Sequence, residues 1–183
     1  MATHRADVFV EEQQDPRSEV RSRCGDERST LEEFLRTQRL TLQLKCDGLT
    51  PEQLATRSVE PSTMSLLGLV RHLAEVERAW FRRRLAGVDC PKLYQSEADP
   101  DGDFNGAVGD QAVVDEAFAA WREEVAFAER WLADATDLDL VITIPHHGEI
   151  SAREVLVHMV EEYARHNGHA DFLRERIDGR IGE

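Results

Sequence analysis

Apolar residues recur at three- and four-residue intervals in four long stretches of the 183-residue chain, the spacing of helices that bury one face. The clearest begins at Ser65, where Leu66, Leu69, Val70, Leu73, Val76 and Trp80 keep that interval until Gly87. An earlier stretch carries Leu31, Phe34, Leu35, Leu42 and Leu44. Ser29 and Glu32 stand at capping-box spacing at its start, and Gly48 ends it. A third follows Asp110, a capping residue, and uses Val113, Val114, Ala117, Phe118, Trp121, Val125, Ala128 and Leu132. The fourth opens on Ser151 and Glu154, again a capping box, and runs through Val155, Leu156, Met159, Val160, Tyr163, Phe172 and Leu173 to Gly179.

The segments between these helices are equally distinct. Thr50, Pro51 and Gln53 start a short turn of helix that Pro61 prevents from continuing. Val88 to Gly109 is rich in Asp, Gly and Pro without a period, which predicts a crossover long enough to span the end of a bundle and to cover a site. The alternation of Leu140, Ile142 and Ile144 before Pro145, His146, His147 and Gly148 predicts a short β-hairpin between Leu138 and Ile150. Residues 1–25 are polar and aperiodic and are expected to form an N-terminal arm, leaving 26–183 as a single domain. The pattern as a whole predicts an all-α fold, a four-helix bundle with one long crossover and a short hairpin before the last helix.

Composition narrows the partners. With 41% hydrophobic and 32% charged residues, the chain has no apolar run near the roughly 20 residues of a bilayer span, so no membrane partner is expected. Residues 1–23 lack the apolar core of a signal peptide, which points to a cytoplasmic protein. A net charge of -14 repels nucleic-acid phosphates, so no nucleic acid is expected either. Arg82 to Arg84 is the one tight basic run, placed where cations complement a helix C-terminus. Cys24, Cys46 and Cys90 are odd in number and scattered, with no CxxC, which argues against disulfides and against a cysteine zinc site. Any thiol chemistry must come from a substrate.

The candidate chemistry lies in histidines. His72 sits between Leu69 and Val76, at the border of a buried stripe; alone it would read as a packed core histidine. The last helix answers it with His158, Glu162, His166 and His169, spaced four, four and three so that all lie on one stripe. Glu162 and His166, one turn apart, present a carboxylate oxygen and a ring nitrogen as metal-binding helices do, and bundles build metal sites from facing helices. The competing reading is a solvated polar stripe with packed histidines and no metal. Arg71 and Arg165 each precede a candidate ligand, roughly 100° around the helix, and are expected at a pocket rim or on the surface, able to receive an anionic group. His146 and His147 read as exposed turn residues. No Gly-rich phosphate loop or serine elbow is present.

Two segments carry a family resemblance. The run from Ser65 through Arg71, His72, Leu73, Ala74 and Glu75 to Phe81, and the run from Glu161 through Glu162, Tyr163, Ala164, Arg165 and His166 to Glu175, are similar to the signature segments of the DUF664 branch of the DinB superfamily. The resemblance covers residues 26–180. It implies a four-helix bundle, a homodimer, and a divalent metal bound by one histidine of the second helix and two residues a turn apart on the last, here His72, Glu162 and His166. Glu162 stands where many relatives place histidine, although the superfamily's thiol-dependent isomerases are similar in using a carboxylate there. His169 falls where relatives often have glutamine; a hydrogen-bond partner of a ligand, a fourth ligand and a pocket acid or base all remain open for it. His158 reads as structural or as a partner of a ligand.

Two imidazoles and one carboxylate leave coordination positions open and suit zinc, nickel or iron(II). The resemblance implies that such a metal binds the sulfur of a small-molecule thiol, mycothiol or bacillithiol, lowers its pKa and lets the thiolate attack an electrophilic substrate. The expected activity is that of a metal-dependent thiol S-transferase or thiol-dependent isomerase. The alternative is a non-catalytic metal- or ligand-binding bundle of a stress response.

Overall fold

The computed structural model describes residues 10, 14–18, 24–135, 137–145 and 148–182. Most of the expected N-terminal arm, and both His146 and His147, lie outside the described residues. Four long helices are present, α1 (Glu27–Cys46), α3 (Leu66–Glu77), α5 (Gln111–Asp134) and α6 (Ala152–Asp178), with short helices α2 (Pro51–Ala55) and α4 (Gly102–Asn105). An antiparallel hairpin, β1 (Val141–Ile144) and β2 (Gly148–Ser151), precedes α6 with Ile142 opposite Ile150. No helix among the described residues is long and apolar enough to cross a membrane.

Local chemistry sets the helix ends. The Thr50 hydroxyl and Gln53 side chain form the expected reciprocal box at α2. Ser65, Asp110 and Ser151 accept from the first-turn amides of α3, α5 and α6. Gly179 closes α6 in the left-handed region at φ 77°. One cap differs from the sequence reading: Asp26, not Ser29, caps α1, because its carboxylate accepts from both the Ser29 amide and the Ser29 hydroxyl. The helix therefore starts two residues before Ser29. Phe34 (50% exposed) and Phe172 (59%) leave the expected apolar stripes, each roughly 100° around its helix from a buried leucine, Leu35 and Leu173.

Ion pairs give the helix directions. Glu27 meets Arg153 and Lys45 meets Asp171, so α1 and α6 run parallel. Arg71 meets Glu116 and Arg78 meets Glu124, so α3 and α5 also run parallel, whereas α3 opposes α6, with His72 near His166 and Trp80 near His158. Two consecutive parallel helices require the chain to travel back along the first. The crossover accordingly lies beside α3 instead of merely spanning the bundle end.

The core contains leucines and a methionine from the long helices together with a buried polar network. Arg39 of α1 makes two 2.8 Å bonds to the carboxylate of Glu77 of α3. The Tyr163 hydroxyl of α6 donates to the same carboxylate, and Trp121 of α5 donates to that hydroxyl, each at 2.8 Å. All four residues are buried. Beyond Glu77, α3 widens into a π-helical segment, Arg78–Leu85, whose cap closes on a bond from the Ala86 amide to the Phe81 carbonyl.

Candidate metal centre

Antiparallel packing of α3 against α6 brings His72 to Glu162 and His166. His72 lies on the second turn of α3, where Leu69 and Leu73 anchor the helix in the core. Met159, Tyr163 and Ala170 anchor α6 so that the adjacent stripe bearing Glu162, His166 and His169 faces α3. Glu162 Oε1 lies 3.3 Å from His72 Nε2 and 3.4 Å from His166 Nε2. One donor atom from each of the three residues lies within 4.8 Å of the others. The imidazoles of His72 and His166 meet edge-on, 4.7 Å between ring centres.

The charges are mutually supportive. Burial pulls the His72 imidazole toward the neutral form, but hydrogen bonds to Asp103 and Glu162 outweigh it and raise its pKa from 6.5 to about 9. Hydrogen bonds from His166 and then His72 hold the Glu162 carboxyl well below the usual range despite partial burial. Asp103 is lowered as well: burial opposes ionisation, and the bonds from His72 and Gln95 overcome it. Burial and the neighbouring His166 lower His169.

The remaining sequence candidates separate clearly. His169 Nδ1 is 3.3 Å from His166 Nδ1, beside the cluster. His158 is one turn away and packs its ring on Trp80 at 4.8 Å, outside the cluster. Arg165 is exposed and pairs with Glu161. Arg71 is not at a rim. It is buried, with its guanidinium 3.8 Å from the Tyr94 ring centre, and it donates to the carbonyls of Asp103 (2.8 Å) and Gly102 (3.1 Å). The crossover itself covers Arg71, so the expected surface position does not exist.

Sequence reasoning missed Asp103. Its carboxylate is 1% exposed and accepts from His72 Nδ1 at 2.8 Å. Asp89, Asp99 and Asp101 crowd the same aperiodic segment, so nothing in the local sequence sets Asp103 apart.

Fold and cluster together define a DinB-like helical bundle with a His–Glu–His cluster between antiparallel helices. Residues 30–179 match the family model described as mycothiol-S-transferase, and the chain belongs to that family. The crystal structure of a conserved protein from Enterococcus faecalis is similar in fold, with a TM-score of 0.52 over 84% of this chain and 95% of that one at 18% identity. No curated protein matches the chain.

Proposed function

We propose that the protein is a metal-dependent mycothiol S-transferase whose divalent cation is held by His72, Glu162 and His166. The carrying observation is the convergence of these three donors between α3 and α6 in a member of the mycothiol-S-transferase family. The donor set fits such an ion. Separations of 3.3 and 3.4 Å between Glu162 Oε1 and the two Nε2 atoms are close to the roughly 3.4 Å between donors around a tetrahedral ion with bonds of about 2.1 Å. Zinc, nickel and iron(II) all accept imidazole with carboxylate. A cation held there supplies the Lewis acidity that favours the thiolate of a bound thiol over the thiol.

The protein's own groups serve that chemistry in distinct ways. Glu162 brings the only negative charge among the three donors, which keeps the site attractive to an anionic sulfur. Phe104 stacks on His72, 5.4 Å between ring centres, and shields that face of the imidazole from water. No cysteine belongs to the cluster among the described residues. Cys46 is buried and its thiol is pushed up to about 12, so it stays protonated and inert. The sulfur nucleophile is therefore the cosubstrate's: it gives up its proton to solvent and bonds to an electrophilic carbon as that carbon's bond to the leaving group, a halide in an alkyl halide, breaks.

Purified protein given mycothiol and a fluorogenic alkyl halide should form the conjugate. Chelation should stop turnover, and His166→Ala should lower it at least about 100-fold, since second-sphere changes alone cost about 10–100-fold. Turnover that survives both treatments sinks the proposal.

A further inference from the structure

His72 has two ring nitrogens, and only Nε2 faces Glu162 and His166. The other, Nδ1, meets Asp103 Oδ2 at 2.8 Å. A carboxylate can only accept, so Nδ1 keeps its proton on Asp103, and Nε2, facing the Glu162 carboxylate, is the nitrogen that exchanges its proton for a cation. Asp103 is itself held. Its Oδ2 also accepts from Gln95 Nε2 at 3.1 Å, and its Oδ1 accepts from the Phe104 amide at 3.0 Å.

The crossover that delivers Asp103 is fastened to α3 at each turn. Arg78 donates to the Pro91 carbonyl, Glu75 accepts from the Leu93 and Tyr94 amides at 2.7 and 2.9 Å, and Arg71 binds the Gly102 and Asp103 carbonyls. Close approach requires glycine. A Cβ on Gly106 would stand 2.6 Å from Arg71 Nη2, one on Gly68 would stand 2.7 Å from the Phe104 ring, and one on Gly102 would collide with the Tyr94 carbonyl. A side chain carried on so many independent bonds has little freedom to rotate away from His72.

We propose that Asp103 is the positioning residue of the metal centre, acting through His72 by fixing its tautomer and ring orientation. This rests on the reading of His72, Glu162 and His166 as the metal ligands. A carboxylate behind a ligating histidine both orients the ring and raises its basicity.

The test uses the full chain, stripped of metal and titrated with zinc against a chromophoric chelator. Wild type should bind one ion. Asp103→Asn, which keeps the size but loses the charge and the fixed acceptor, should weaken binding about 10–100-fold while far-UV circular dichroism of the metal-free form stays unchanged. Binding within twofold of wild type overturns the inference and leaves the metal site standing. Wild type that takes up no zinc overturns both.

A second measurement covers a variant that fails to fold. Imidazole nitrogen shifts of His72 in zinc-loaded wild type should show Nδ1 protonated and Nε2 coordinated. The reverse assignment overturns the inference.

Discussion

His72 lies between two carboxylates, and its protonation in the metal-free protein follows from that position. Its folded pKa is raised, from 6.5 to about 9, so its contribution to stability is complete below 6.5 and disappears as the pH rises through about 9. Glu162 is lowered instead, so its contribution is present above its ordinary 4.5 and disappears on acidification. Both are in place between about 4.5 and 6.5. The urea midpoint of chelated wild type should therefore fall between pH 6.5 and 9, and His72→Gln should fall less. Equal slopes for the two proteins refute the assignment. A metal bound as proposed must displace the His72 proton, so its binding should release acid. Of the residues involved, His72, Glu162 and His166 were legible from spacing and resemblance, because helical periodicity places them. Asp103 and the burial of Arg71 were not, since both depend on a segment whose path no local pattern encodes.

At the scale of elements, the crossover behaves as a strap. Arg71, Glu75 and Arg78 stand at i, i+4 and i+7 on one face of α3, and each holds crossover backbone. Arg71→Met should lose two bonds to carbonyls and the contact with Tyr94, and cleavage between residues 88 and 109 in limited proteolysis should accelerate several-fold. A digestion rate equal to that of wild type would show that the strap does not depend on Arg71. Cap chemistry made most helix boundaries readable in advance. The π-helical segment was hidden, because buried Leu73, Glu77, Phe81 and Leu85 advance in steps of four, a spacing that neighbours on an ordinary α-helix also keep. Simple three-and-four spacing cannot distinguish that from an ordinary helix.

For the whole molecule, the Arg39–Glu77–Tyr163–Trp121 network places one residue on each long helix and so ties their mutual heights together. Removing one partner of a buried pair strands the other charge. Glu77→Ala should cost about 3–5 kcal/mol in urea unfolding, against a smaller loss for the isosteric Glu77→Gln. A cost under about 1 kcal/mol for Glu77→Ala would mean that packing alone sets the register. Four helices and a hairpin were evident from periodicity, but their directions were not. Parallel α3 and α5 follow from contacts between residues far apart in sequence, such as Arg78 with Glu124.

The separation of the donors along the chain also sets a timetable. Glu162 follows His72 by 90 positions, an interval of about 5–20 s at ordinary ribosomal speed. Throughout it, the emerging polypeptide carries His72 without Glu162 or His166, so the three-donor set does not yet exist. For the proposed metal centre, ion capture thus belongs to the finished bundle, and the choice among competing ions would be made by the concentrations that finished bundle meets.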